Sequence, residues 1–252
     1  MAFTSPPYAS QRKYDTTSGF EPIAPDAYGD WFEAVQANVR AHLSADGSWF
    51  VNIKAHCEDG QRHLYVHDLL LAHVRRWGWR FVDELCWVDT RNGFPGSFPN
   101  RFKDAWEPVY HFCLSAKIVF NPLANGVDSD DVVRYDPKSH PHMDDTGYHV
   151  GGKRTFTTGT ARPSNVVRIP SGGVDSHSAA FPVALPSWFI RAYSDPGDTI
   201  FDPFMGSGST LIGAHQEGRV AVGCEISPAY CDVIVARWEA FTGRKAVLDG
   251  AA

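Results

Sequence analysis

No apolar run in these 252 residues approaches the ~20 needed to cross a bilayer as a helix, so a helical membrane span is excluded. The opening residues, Met1-Ala2-Phe3-Thr4-Ser5-Pro6-Pro7, lack the basic and long apolar stretches of a secretion signal, and a cytoplasmic protein is expected. Cysteine is scarce. Five of them, an odd number with no CxxC pair, argue against a disulfide framework or a zinc ribbon and suit a reducing compartment. Net positive charge is missing as well. With 23 Lys and Arg against 29 Asp and Glu the chain carries −6, so any hold on a polyanion must come from a local patch. What is present builds a core: 43% hydrophobic and 21% charged residues, over a length that suits one large α/β domain or one domain with a sizeable insertion.

Three zones differ in texture. In the first, residues 1–120, apolar positions Trp31, Phe32, Val35, Val39 and Leu43 predict an amphipathic helix over 26–43, closed by Gly47. A short buried strand is expected at 49–53, a helix at 67–77 stopped by Gly78, a strand at 81–88, and strand character within 106–120. Trp77, Trp79, Phe81 and Trp87 are expected in the core. The middle zone, 121–175, is rich in Gly, Pro, Ser, Thr, Asp and His and has little sustained periodicity, the texture of a functional insertion. Within it, 149–168 holds Lys153, Arg154, Arg162 and Arg168 and no Asp or Glu. The third zone, 176–252, regains order with a strand at 199–202, a helix at 210–217, a strand at 220–225 and an amphipathic helix at 228–242 whose apolar positions include Val233, Ile234, Ala236 and Trp238. That β-α-β succession implies a right-handed crossover in a parallel sheet.

Between the strand and helix of that unit lies Asp202-Pro203-Phe204-Met205-Gly206-Ser207-Gly208-Ser209-Thr210. Gly206 and Gly208 allow positive φ and close approach of a ligand to the backbone, and the free N–H groups of the following helix favour an anionic group. Glu225 ends the next strand, where an acid can accept hydrogen bonds from both hydroxyls of a ribose. A glycine turn alone is weak, but strand, helix and acid together point to a ligand containing a nucleoside. No GxxxxGK[ST] occurs, and position 211 is Leu where the dinucleotide fingerprint has a third glycine, which disfavours ATP and NAD.

The second unusual segment is Thr4-Ser5-Pro6-Pro7-Tyr8. Two prolines fix the backbone and remove two N–H donors while leaving their carbonyls as acceptors. Tyr8 offers a flat face on which a planar ring can stack. By itself the segment reads as a proline-rich tail. Taken with the glycine turn, it resembles the amino-methylating DNA methyltransferases that use S-adenosylmethionine, where a [D/N/S]PP[Y/F] motif carries catalysis and a DPFxGSG motif binds the cofactor. The order here, catalytic motif first and cofactor motif last with recognition between, is that of the family's β group. His177-Ser178-Ala179-Ala180-Phe181-Pro182-Val183-Ala184-Leu185 is similar to the HxAxFPxxL stretch that precedes the cofactor motif in that group.

The resemblance implies a doubly wound, mostly parallel, Rossmann-like α/β sheet with an irregular recognition insertion at 121–175. It implies that Ser5 Oγ and the Pro6 carbonyl accept the protons of an exocyclic amine, localising its lone pair, while Tyr8 stacks on a base taken out of the duplex. In the cofactor site, Gly206 and Gly208 would pass beneath S-adenosylmethionine within the Ser207 and Ser209 turn, with Phe204 and Phe181 packing near it. Asp202 would meet its amino-acid end and Glu225 its ribose. Lys153, Arg154, Arg162 and Arg168 would neutralise DNA phosphates. Ser5, where adenine-N6 enzymes more often have Asp or Asn, leans toward cytosine N4. A homodimer and a cognate restriction endonuclease are partners such a resemblance admits, and no metal is expected.

One departure from the pattern is the strand before the catalytic motif, for which only residues 1–4 are available. It motivates a second reading, a catalytically impaired module that binds DNA or cofactor; a third keeps the reaction and changes the substrate to RNA or a protein amide. His140-Pro141-His142 with Asp144 and Asp145 reads as a polar loop more than as a metal site, and His56-Cys57 as packing or surface more than as a nucleophilic dyad.

Overall fold

The computed structural model describes residues 1–9, 18–91, 99–135, 142–143, 149–150, 154–171 and 181–249, without the side chains of 129–135, 142–143, 149–150 and 154–158. In chain order the elements are β1 (Ala2–Thr4), α1 (Tyr28–His42), β2 (Ser48–Asn52), β3 (Cys57–Glu58), β4 (Gln61–Arg62), α2 (Tyr65–Arg75), β5 (Arg80–Val88) and β6 (Trp106–Cys113). They continue with β7 (Val127–Tyr135), β8 (His142–Met143), β9 (His149–Val150), β10 (Arg154–Ala161), β11 (Val166–Arg168), α3 (Ala184–Tyr193), β12 (Thr199–Asp202), α4 (Ser209–Gln216), β13 (Val220–Gly223) and α5 (Pro228–Thr242).

Seven strands form one sheet in the order β11-β5-β6-β2-β1-β12-β13. Neighbours are parallel except on either side of β6, which runs antiparallel to both β5 and β2. The three-residue β1 sits at the centre, pairing Ala2 with Trp49 on one side and with Phe201 on the other. So short a strand holds there because both faces are covered. Alternation along β2 sends Trp49 and Val51 into a cluster with Tyr28, Phe32, Tyr65 and Leu69 of α1 and α2, and Phe50 into a cluster with Phe3, Leu185 and Phe189 on the α3 side. All five residues of β2 are buried, the continuous pattern of a strand covered on both faces. Residues 1–120 and 165–252 make one compact unit, and 121–164 a second.

The helices and strands of the first and third zones lie close to where periodicity puts them. The middle zone differs. Residues 127–135 and 154–161 pair as an antiparallel ribbon, β7 with β10, and β11 leaves the zone to join the main sheet against β5. The aromatic group expected in the core divides: Trp79 and Trp87 are buried, Trp77 is half-buried, and Phe81 is exposed, on the open face of β5. α5 also departs from expectation, since none of its residues is fully buried despite its apolar positions. Its ends are nonetheless well specified. Ser227 accepts from the Tyr230 N–H, Pro228 opens the first turn, and Gly243 (φ 70°) closes the helix in the left-handed conformation.

Candidate active site

The carboxyl end of β12 feeds directly into the glycine turn. Asp202, the last residue of the strand, is wholly buried, and three donors hold its carboxylate: Thr4 Oγ1 at 2.7 Å and the Phe204 N–H at 3.0 Å on Oδ1, Thr210 Oγ1 at 2.6 Å on Oδ2. Asp202 thus ties β1, the turn and the first residues of α4 together. Burial pushes its pKa up to about 6, against the pull of those hydrogen bonds. The turn is set by Gly206 (φ 54°) and Gly208 (φ 82°) in the left-handed region. Gly208 caps α4, and a Cβ there would meet Ile234 of α5 at 3.3 Å. Arg237, from α5, donates to the carbonyl and hydroxyl of Ser207, clamping the turn from outside.

Glu225 lies just beyond β13 and reaches back to the turn. Its Oε2 accepts from the Gly206 N–H at 2.7 Å, and its Oε1 from the Ser227 N–H at 2.9 Å. A carboxylate has about four lone-pair sites, so two remain for hydroxyl donors. This pair of backbone bonds fixes the carboxylate at the mouth of the turn.

Ser5-Pro6-Pro7-Tyr8 follows β1 and emerges beside the turn, because β1 and β12 are adjacent parallel strands ending at the same edge. The Pro7 carbonyl accepts from Tyr28 Oη at 2.7 Å, which locks the segment to α1. Tyr8 is nearly buried, and its hydroxyl donates to Glu107 Oε2 at 3.2 Å. Glu107 in turn pairs with Lys54 at 3.1 Å, and Lys54 with Asp104 at 3.6 Å; Arg62 and Arg101 also reach Asp104, at 2.8 and 2.9 Å. Burial alone would raise the Asp104 pKa, but the three cations outweigh it and hold the carboxyl below its usual range. The tyrosine ring is therefore positioned by a charged network that no local pattern in the sequence announces.

Both segments line one cavity of about 430 Å³. Ser5, Pro6, Pro7 and Tyr8 line it from the segment after β1, and Phe204, Gly206, Ser207, Ser209 and Glu225 from the turn and the residues beyond β13; Phe181 also lines it. Ser209 Oγ donates to the Phe181 carbonyl at 2.9 Å, fixing that residue to the turn. Asp202 and Gly208 are not among the residues that line the cavity: the Asp202 carboxylate accepts from Thr4, Phe204 and Thr210, and Gly208 caps α4. Residues that sequence reading missed also line the cavity: Ser18, Phe20, Trp31, Ile226 and Tyr230. Trp31 packs on Phe204 with ring centroids 5.7 Å apart, so the cavity is aromatic on several sides, a surface that attracts an organic cation. Trp31 was legible only as a core position of α1.

Of the four basic residues, Arg162 is exposed in the second unit and Arg168 is exposed at the end of β11 in the first. Arg154 begins β10 with its side chain outside the described residues, and Lys153 lies outside them altogether. His140, Asp144 and Asp145 also lie outside the described residues.

Comparison with known proteins decides the family. Residues 1–236 match the family described as DNA methylase. The chain belongs to that family. Its motif order makes it a β-group amino DNA methyltransferase, and the fold agrees. Among curated relatives it is 25% identical to the Type II methyltransferase M.PvuII of Proteus hauseri, over 91% of this chain and 75% of that one. It is 28% identical to the orphan methyltransferase M.BamHII of Bacillus amyloliquefaciens, over 92% and 86%. Among solved structures, the PvuII DNA methyltransferase (cytosine-N4-specific) superposes with a TM-score of 0.66 at 22% identity, covering 100% of this chain and 80% of that one. The M1.HpyAVI–SAM complex follows at 0.57 and 19%, covering 94% and 87%. No helix among the described residues is long and apolar enough to cross a membrane.

Proposed function

We propose that this methyltransferase moves the methyl group of S-adenosylmethionine to an exocyclic amine in DNA, with cytosine N4 as its target. The observation that carries the reading is the single cavity walled by Ser5-Pro6-Pro7-Tyr8 on one side and the glycine turn with Glu225 on the other. The residues present suit the cofactor. Glu225 keeps two lone-pair sites for ribose hydroxyls, and Phe204, Trp31 and Phe181 offer apolar and π surface for an adenine and a cationic sulfur. When bound, the cofactor supplies a methyl group already activated on sulfonium.

The protein's part is alignment and charge. An exocyclic amine is a poor nucleophile because its lone pair is delocalised into the ring; Ser5 Oγ and the Pro6 carbonyl accept hydrogen bonds from its N–H groups and localise that pair toward the methyl group, and once the nitrogen is methylated one of those protons would be released to solvent. Positive charge developing on the nitrogen is then met by the same two oxygens, which are already in place. Pro7 is held by Tyr28 and Tyr8 by Glu107, so the segment that carries the acceptors is anchored and the stacking face is preorganised. Because the amine is paired inside a duplex, the base must leave the stack to reach Tyr8. Arg162 and Arg168, with Lys153 and Arg154, are assigned to backbone phosphates, and replacing any one of them by a neutral residue should reduce the salt dependence of DNA binding by about one unit of slope.

Ser5 in the catalytic motif and the likeness to a cytosine-N4-specific enzyme support cytosine over adenine. The buried, doubly paired β1 speaks for an active enzyme over an impaired binding module. A homodimer and a cognate endonuclease belong to the same reading, the latter supported by relatives named as Type II methyltransferases. Mass spectrometry of nucleosides from DNA incubated with enzyme and cofactor tests it. N4-methylcytosine is expected, N6-methyladenine would move the target to the other base, and RNA or a protein amide methylated in preference to DNA would move the substrate class. No methylated product of any kind would overturn the proposal.

A further inference from the structure

Beside the active site stands a group of side chains that the reaction does not use. The hairpin β3–β4 turns at Asp59 and Gly60, both at positive φ (48° and 78°). Its register places Cys57 opposite Arg62, so His56 and His63 face each other one step further out, joined by the His63 N–H to His56 carbonyl bond at 3.0 Å. Strand alternation puts Glu58 on the same face as His56. The result is a cross-strand histidine pair, ring centroids 4.4 Å apart, with a carboxylate beside it.

We propose that His56, Glu58 and His63 form a binding site for a divalent transition-metal ion, Zn²⁺ being the ion their donor set fits. Three observations support it. One ligand atom from each residue lies within 4.8 Å of the other two, and His63 Nε2 is already 3.0 Å from Glu58 Oε2. Ligand atoms around a shared tetrahedral zinc stand about 3.4 Å apart, given bonds of about 2.1 Å, so modest side-chain rotations close the set. His56 Nδ1 is buried and has no hydrogen-bond partner among the described residues, although buried polar atoms almost always have one. An ion held by two imidazoles and a carboxylate would leave a fourth position for water, and would satisfy that nitrogen where Nδ1 is the His56 atom that binds.

The scaffold is fixed independently of the three ligands. Arg62 donates to the Ala55 carbonyl at 2.8 Å and pairs with Asp104 at 2.8 Å, while Asn100 Nδ2 donates to the Gly60 carbonyl at 2.8 Å. The ligands are thus presented on an ordered hairpin, and binding need not order it. A bland alternative exists, in which Glu58 and His63 are a surface ion pair worth little. It leaves the buried His56 nitrogen unexplained.

The site is structural in its consequences. Asp104 links Arg62 of the hairpin to Lys54, and Lys54 to the Glu107 that holds Tyr8, so an ion there would stiffen the ground on which the stacking ring stands.

Calorimetric titration of the full chain with ZnCl₂, and of His63→Ala and Glu58→Gln, tests the site. Other histidines and cysteines on the chain can also take zinc, so the reading is the difference between proteins. The unaltered chain should bind one more equivalent than His63→Ala, and Glu58→Gln should weaken that equivalent at least tenfold. Co²⁺ in place of Zn²⁺ should give the visible absorption of a four-coordinate ion, absent from His63→Ala. Equal stoichiometry and affinity in all three proteins would overturn the assignment. Glu58 is largely exposed, so Glu58→Gln keeps the test alive should His63→Ala fail to fold.

Discussion

In the proposed reaction Tyr8 and Asp202 would divide the labour of the site between contact and support. Tyr8 faces the cavity with its hydroxyl anchored on Glu107, so its ring is what a flipped base would meet. Base–aromatic stacking is worth about 1–3 kcal/mol, so Tyr8→Ala should lower the catalytic efficiency of methyl transfer by roughly 10- to 100-fold while changing the cofactor Kd less than about threefold. Labelled-methyl incorporation beside a calorimetric titration with the cofactor separates the two; equal losses would contradict the stacking role. Asp202 acts at one remove. Its carboxylate, buried and raised to about pKa 6, is charged at pH 8 and largely neutral at pH 5. Thr210→Val removes the 2.6 Å donor from that carboxylate, and a hydrogen bond to a buried charge is worth about 1.5–3 kcal/mol. We expect a stability loss of that size in urea unfolding at pH 8 and a clearly smaller one at pH 5. A loss independent of pH would show that the hydroxyl matters only for packing.

The elements that carry the site are joined by a close approach at one glycine. Gly223, the last residue of β13, leaves no room for a side chain: a Cβ there would sit 2.0 Å from Met205 Cε and 2.7 Å from the Asp202 carbonyl oxygen. The methionine can swing away, but the backbone oxygen cannot. Gly223→Ala should therefore part β12 from β13 at the turn, costing about 1–3 kcal/mol by urea denaturation and weakening cofactor binding more than tenfold. Unchanged cofactor affinity in a folded variant would mean that the turn does not depend on this packing. At this scale the sequence was readable wherever burial was one-sided or continuous. The spacing of Trp31, Phe32, Val35 and Val39 predicts α1 to within two residues at either end, and the run 49–53 predicts β2 because both of its faces are covered. The ribbon β7–β10 was not legible, since Asp, Ser and Thr along it carry no apolar alternation. Nor was the tie from Thr4 to Asp202, which spans 198 positions and is set by neighbouring strands of the sheet rather than by any local motif. The motifs at 5–8 and 202–210 were visible as residues, but Trp31, Tyr28 and Glu107, which shape and brace their cavity, come from elements whose pattern speaks only of packing.

For the whole molecule, acid sensitivity follows from histidines held neutral inside the core. His73 stacks on Phe112 with centroids 4.3 Å apart, and burial lowers its pKa to about 4; His111 stacks on Phe50 at 4.2 Å, and burial lowers its pKa to about 3. In the unfolded chain both would titrate near 6.5. Between those values the unfolded state binds protons that the folded state refuses, so the stability they allow is complete above about pH 6.5 and is lost as pH falls toward 4 and 3. Asp202 works in the opposite sense. Its folded carboxyl takes a proton near 6, before an unfolded one does, which returns part of the loss over the same interval. Each uncompensated proton changes stability by about 1.4 kcal/mol per pH unit, so the two histidines outweigh the single acid and unfolding should become easier from just below pH 6.5. Replacing His111 alone would strand the Ser48 hydroxyl that it meets at 2.9 Å, so the informative protein is the double variant His111→Phe with Ser48→Ala, which removes both partners together. Its unfolding free energy, measured in urea from pH 8 to pH 4.5, should fall less steeply by about 1.4 kcal/mol per pH unit than that of the parent. An identical slope would mean that His111 is protonated in the folded core or that the acid response originates elsewhere.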